Sequence, residues 1–288
     1  MLVFAVPVVL FLVFWALCYI PIAGVARVVK AGAKSGSGWV ERSRIGRWAT
    51  GHSGPVGSYA PILLLIVAGG IAAIGAGYLF VELAEQVRLS TSLVSRADQL
   101  IHAWFGHERG AAMTTLLSGA TGIGGTVGLT VIVAVVAALL VRKQRASAIF
   151  LVVTAGAGAL LNLGLKEFFA RMRPDLASAL VVMRSYSFPS GHAMSSFITF
   201  GALAYLALRQ PWPWAAKSAG LATALTIVLL VSLSRVYLGV HWASDIAGGW
   251  SAGAVWLASA EVAFEMLLRL RQRRRGAAPA SAAADVPD

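Results

Sequence analysis

Residues 146–167 read ASAIFLVVTAGAGALLNLGLKE, a long uncharged run that closes on Lys166 and Glu167. A helix rises 1.5 Å per residue, so a run of this length covers a hydrocarbon layer of ~30 Å. Working outward, six further apolar segments stand at 2–24, 59–83, 112–141, 191–208, 214–233 and 246–268. The pattern predicts an all-α fold, a polytopic membrane helical bundle of about seven transmembrane helices. Segment 112–141 is longer than the rest and glycine-rich at its start (Gly119, Gly122, Gly124, Gly125, Gly128), so its first part is expected to be a bent or interfacial lead-in. Those glycines lack the spacing of a dinucleotide fingerprint and follow no strand; close helix packing or a kink explains them better.

The composition fits this reading. Of 288 residues, 58% are hydrophobic and 12% charged, against roughly 25% charged in soluble domains. The net charge of +12 is not gathered into a basic and aromatic surface of the nucleic-acid-binding kind, so no nucleic-acid partner is expected. Cys18 is the only cysteine and lies inside an apolar run, which excludes an intramolecular disulfide or a thiolate metal cluster.

Lys and Arg in the connections set the orientation. Sixteen of the 24 follow the first, third, fifth and last segments, and eight lie on the opposite side. The richer side is therefore cytoplasmic, with the N-terminus outside, the C-terminus inside and a multi-pass course through the plasma (inner) membrane. A cleaved signal peptide is the competing reading of residues 2–24. The absence of a basic n-region, and six cations that would then have to be translocated, favour a span. Residues 86–105 place Leu89, Leu93, Ala97, Leu100, Ile101 and Trp104 on one helical face with Arg88, Arg96 and Asp98 elsewhere, as in a helix lying in the outer interface. The Ala/Pro-rich tail from Gly276 is expected to be disordered.

Three polar groups fall on the charge-poor face, where polar atoms at membrane depth are expensive and therefore informative. The first is Lys166 with Arg173 and Pro174. Seven residues are nearly two helical turns, and Pro174 disfavours helix at Arg173, so both cations are expected near the mouth of one helix. The second is Pro189-Ser190-Gly191-His192, where Ser190 is a good N-cap, the free N–H groups behind it suit an anion, and Gly191 admits a ligand close to the backbone. The third is Ser234-Arg235 followed by His241 and Asp245. At a spacing of four a carboxylate reaches an imidazole, fixes its tautomer and leaves the other nitrogen free to act as a nucleophile. Each group alone is also compatible with plain helix starts and polar staples. Together they hold three cations, helix-end donors, two histidines and a carboxylate, the inventory that phosphoryl transfer needs. His192, His241 and Asp245 have metal-compatible spacing, but Lys166, Arg173 and Arg235 would repel a dication and welcome an oxyanion, so neither a metal nor another cofactor is expected.

The ordered set K-x6-RP (Lys166 to Pro174), PSGH (189–192) and SR-x5-H-x3-D (Ser234 to Asp245) resembles the three signature blocks of the type 2 phosphatidic acid phosphatase and vanadium haloperoxidase superfamily. The resemblance covers roughly 95–268 and leaves residues 1–58 outside it. It implies a six-helix phosphatase core plus one N-terminal helix, divided as residues 1–58 (first helix and basic connection), 59–270 (phosphatase domain) and 271–288 (tail). By the same resemblance His241 attacks phosphorus, Asp245 orients it, and His192 protonates the leaving oxygen and then activates water. Lys166, Arg173, Ser190, Gly191 and Arg235 hold the phosphate oxygens without a metal. The implied activity is hydrolysis of a lipid-linked phosphate or diphosphate (undecaprenyl diphosphate, phosphatidylglycerophosphate or phosphatidic acid) on the outer leaflet. Phosphotransfer to a lipid or sugar hydroxyl would use the same residues. The haloperoxidase branch is soluble, unlike this chain, and a binding or transport protein would not need the nucleophile, its aspartate and an acid. The oligomeric state stays open.

Overall fold

The computed structural model describes residues 55–89, 91–174, 179–180 and 185–276, with side chains from residue 70 to residue 272 of that set. All regular structure among the described residues is helical: α1 (Pro55–Gln86), α2 (Leu93–His107), α3 (Ala111–Ile123), α4 (Thr126–Val141), α5 (Arg145–Phe169), α6 (Gly191–Leu208), α7 (Trp214–Tyr237) and α8 (Ala243–Gly276). Each of α5, α6, α7 and α8 contains a stretch long and apolar enough to cross a bilayer, and the α3–α4 pair, bent by 49° at a short break, forms a fifth such unit. α1 covers the expected segment 59–83; the expected span 2–24 and the tail beyond Gly276 lie outside the described residues.

The bend between α3 and α4 falls at Gly124-Gly125, within the glycine-rich lead-in. A Cβ on Gly124 would overlap Val231 of α7 and come within 2.7 Å of Ser196 Oγ on α6. The glycine therefore permits a close approach of three elements, as small residues do where membrane helices meet. α8 packs against α1 and α6, α6 also against α5 and α7, α4 against α5, and α3 against α7. Phe150 and Leu151 of α5, Ala202 and Leu206 of α6, and Leu257 and Phe264 of α8 form one core away from the polar end. The outer faces carry exposed apolar side chains such as Val127, Leu139, Leu160 and Phe168, the opposite of a water-facing surface and the pattern required by lipid.

Two expectations are corrected. α5 ends at Phe169, not at Arg173, because Ala170 adopts left-handed geometry (φ 46°) and its N–H closes on the Lys166 carbonyl. Arg173 thus lies beyond the helix and reaches the site from the irregular segment that follows it. In α2 the predicted apolar face is indeed outward, with Leu93, Leu100 and Trp104 well exposed, but Asp98 is buried at 3% exposure together with Ser95. The helix lays its apolar side to the surroundings and turns an acid into the protein.

Candidate active site

The C-terminal ends of α5 and α7 and the N-terminal ends of α6 and α8 meet at one end of the bundle, and the three polar groups meet there. α7 closes with both Val240 N–H and His241 N–H donating to the Arg235 carbonyl, each at 3.2 Å. This turn aims His241 across the mouth just before α8 begins. Asp245 sits in the first turn of α8 and accepts the Trp242 N–H at 2.9 Å, the reciprocal half of a capping box. Its backbone carbonyl accepts Ser190 N–H at 3.0 Å, which ties the start of α6 to the start of α8. The loop before Ser190 is anchored by Phe188, fully buried and in ring contact with Phe80 of α1 and Phe169 of α5.

His241 is 1% exposed. Its Nδ1 lies 3.1 Å from Asp245 Oδ2 and its Nε2 lies 3.2 Å from Arg173 Nη1. A guanidinium can only donate, so Nε2 must be the unprotonated nitrogen, and the carboxylate on the other side demands the proton on Nδ1. Both neighbours select the same tautomer. Burial pushes the imidazole pKa down to about 3, aided by Arg173 and Lys166 and opposed by the Asp245 hydrogen bond. At neutral pH the ring is uncharged, and its unprotonated nitrogen, Nε2, is the one that faces Arg173.

Arg173 is fixed by the loop that precedes α6: Nε donates to the Ser185 carbonyl at 2.6 Å and Nη2 to Ser185 Oγ at 3.0 Å. Its Nη1 also donates to the Val240 carbonyl at 2.5 Å. Burial lowers its pKa from the ordinary arginine value, and Asp245 counteracts this. Lys166, 6% exposed, donates to the Tyr186 carbonyl at 2.5 Å. Arg235 is 2% exposed; its Nη1 donates to Thr121 Oγ1 at 2.7 Å, while Nε and Nη2 find no hydrogen-bond partner among the described residues. Ser190 occupies the N-cap position of α6, but its hydroxyl makes no cap bond, contrary to expectation, and it too is buried without a partner. Unpartnered buried donors are costly and rare. A Cβ on Gly191 would stand 2.9 Å from Asn162 Oδ1 and 3.7 Å from Lys166 Cε, so the glycine lets the start of α6 lie against both.

Lys166, Arg173, Gly191, His192 and His241 all border one cavity of about 560 Å³. Half-buried His192 faces the α3–α4 break, its Nε2 3.6 Å from the place a Cβ on Gly125 would occupy. From this polar end the cavity continues between α4 and α5 along Leu129, Val133, Ala134, Val152, Ala155 and Ala159. Its polar end can hold an oxyanion and its other end an apolar chain. Among the described residues no three His, Cys, Asp or Glu side chains converge to hold a metal ion.

Several residues of this region carry no motif and escaped sequence reasoning. Arg171 bonds Asp245 and Asp98, Ser187 donates to Asp245 Oδ2, Thr121 holds Arg235, and Asn162 supports the PSGH turn through its contact with the Pro189 carbonyl. The available signals were a second arginine two residues before Arg173 and an acid in an interfacial helix.

Residues 146–269 match the sequence profile of the PAP2 superfamily. Phosphatidylglycerophosphatase B of Bacillus subtilis is 31% identical over 187 residues, 64% of this chain and 92% of that protein. An undecaprenyl-diphosphatase of Sulfolobus acidocaldarius is 33% identical over 132 residues, 44% of this chain and 59% of that protein. The crystal structure of a transmembrane PAP2-type phosphatidylglycerolphosphate phosphatase from Bacillus subtilis superposes with a TM-score of 0.62 at 29% identity, covering 68% of this chain and 96% of that one.

Proposed function

The chain belongs to the PAP2 superfamily, and we propose that it is an integral membrane phosphatase that hydrolyses a lipid-linked phosphate or diphosphate through a phosphohistidine on His241. The observation that carries this reading is the single cavity that joins His241, His192, Lys166 and Arg173 to an apolar channel between α4 and α5. A soluble phosphate ester would need only the polar end, whereas an amphiphile fills both.

In the proposed reaction the phosphate oxygens are held by Lys166, Arg173, Arg235, the Ser190 hydroxyl and the N–H groups that open α6. Placing donors where charge develops is the largest lever in phosphoryl transfer. Nε2 of His241 attacks phosphorus in line as the bond to the leaving oxygen breaks, and His192 delivers a proton to that oxygen. The imidazole becomes an N-phosphoryl cation whose charge Asp245 balances. Neutral His192 then takes a proton from water, the hydroxyl attacks phosphorus, the P–N bond breaks, and inorganic phosphate leaves with His241 regenerated. The phosphatase domain is residues 59–270. The Lys and Arg asymmetry supports a site on the exterior face of the plasma membrane and a cytoplasmic C-terminus.

Purified protein in detergent should release phosphate from at least one of undecaprenyl diphosphate, phosphatidylglycerophosphate and phosphatidic acid with EDTA present. Failure on all three, or transfer of labelled phosphate only to an added lipid or sugar alcohol, would overturn the hydrolase assignment.

A further inference from the structure

Asp245 is the hub of a hydrogen-bond network that reaches beyond the specified positions of the signature blocks, to Arg171, Asp98 and Ser187. Its Oδ1 accepts Arg171 Nη1 at 2.5 Å, and its Oδ2 accepts His241 Nδ1, Trp242 N–H and the Ser187 hydroxyl. A carboxylate offers about four acceptor directions, and four donors converge on this one, three of them on Oδ2. Arg171 in turn spans two acids: Nη2 donates to Asp98 Oδ2 at 2.8 Å, and Nη1 also donates to Ser244 Oγ at 2.8 Å. Asp98 accepts Ser244 N–H at 2.9 Å through its other oxygen, and the Ser244 hydroxyl donates to Asp98 Oδ2. The guanidinium lies over the Trp242 ring at 5.7 Å. Asp98 and Asp245 are 3% and 0% exposed and Arg171 12%, so neither water nor salt screens the cluster strongly.

The geometry points to Asp98 and Arg171 as positioning residues for the nucleophile, so that interfacial helix α2 is wired to His241. This inference rests on the phosphatase reading above. An arginine beside Asp245 with no second acid would draw the carboxylate toward itself and weaken its hold on the imidazole. Asp98 supplies that second acid: it neutralises the guanidinium from the far side and fixes its plane. Arg171 then claims one oxygen of Asp245 and leaves the other to His241 Nδ1. The arrangement needs the fork of an arginine, because a lysine ammonium cannot hold two carboxylates in a fixed plane. It also accounts for the inward acid of α2, whose burial would otherwise be a pure cost.

The test uses the full-length protein in detergent with whichever lipid phosphate the wild type turns over. The variants are Arg171→Lys, Asp98→Asn and the double variant, with inhibition by vanadate as the check that the phosphate cradle is intact. Residues that orient a reacting group typically change activity by about 10- to 100-fold. Each single variant should lose about that factor in kcat, with KM and the vanadate constant within about threefold of wild type by the same reasoning. The double variant should be no worse than the poorer single one, because both act through Asp245. Guanidinium ion added to Arg171→Ala should restore part of kcat, which a purely structural staple would not allow. Should Asp98→Asn fail to fold, Arg171→Lys and the guanidinium rescue decide the matter. Variants that bind vanadate normally and keep wild-type kcat overturn the inference, as do losses that multiply in the double variant. Wild type inactive on every lipid phosphate overturns the phosphatase reading and this inference together; active wild type with equally active variants overturns the inference alone.

Discussion

Replacing Asp245 by asparagine isolates the orientation of the nucleophile. The carboxylate accepts four donors, three of them on Oδ2. With the amide nitrogen at the Oδ2 position, Trp242 N–H faces another donor and His241 Nδ1 must accept, which moves the ring proton to Nε2 and blocks attack. With the nitrogen at the Oδ1 position, it opposes the Arg171 guanidinium. Either orientation strands a buried donor at about 1–3 kcal/mol, more where the donor is charged. In a serine protease the equivalent loss of the correct tautomer lowers kcat about 10⁴-fold. Here we expect about 10³- to 10⁴-fold in kcat on that basis. KM should change little, because Lys166, Arg173 and Arg235 are untouched. Initial-rate phosphate release at saturating and limiting lipid separates the two constants, and vanadate inhibition shows that the site still assembles. A folded Asp245→Asn enzyme within tenfold of wild-type kcat would refute the tautomer argument.

His241 has its pKa held near 3 in the folded protein, against about 6.5 when unfolded. Below pH 6.5 the unfolded chain takes up a proton that the folded chain refuses, so stability is lost as pH falls from 6.5 towards 3. The deficit grows as pH falls, and melting temperatures of His241→Gln should decline less steeply than wild type over that range; parallel slopes would contradict this. Gly124→Ala forces a methyl group into Val231 and against Ser196, so the melting temperature should drop in line with an overpacking cost of about 1–3 kcal/mol. A companion Val231→Ala should recover part of it; no drop would mean that the α3–α4 bend is not tightly seated. Gly156 borders the cavity, and a Cβ there meets nothing within 4 Å. Gly156→Leu should therefore leave the fold intact and raise KM for a long-chain lipid phosphate about tenfold, equivalent to losing one or two buried methylenes of contact. Turnover of 4-nitrophenyl phosphate should be unchanged, and equal effects on both substrates would place the apolar chain elsewhere.

Much of the site was legible because membrane spans leave few places for charge. Lys166, His192, Arg235 and His241 stood out as polar residues at the ends of apolar runs, and alternation of the spans put those ends on one side. The bend before α4 was equally readable, since glycines crowd Gly119 to Gly128 and close approach is their commonest use in such helices. The end of α5 was not. Pro174 announces that helix must stop before it, but the stop at Phe169 comes from the left-handed Ala170, a conformation that an alanine does not advertise. Nor did sequence reveal Arg171 and Asp98, whose value arises from partners 73 residues apart. Asp98 read as a polar residue of an amphipathic helix, and only tertiary packing turns it inward. Ser190 was legible as a helix start, whereas its free hydroxyl depends on how the α6 and α8 termini are pinned together through Asp245.

The most direct measurement is to trap the covalent intermediate. Enzyme mixed for milliseconds with lipid carrying ³²P in the scissile phosphate, quenched in alkaline denaturant and digested, should yield a labelled peptide containing residue 241. That label should survive base, be released by acid, and be lost in His241→Ala. Label on His192, or full turnover by His241→Ala with no phosphopeptide from either protein, would contradict the assignment of Nε2 of His241 as the nucleophile.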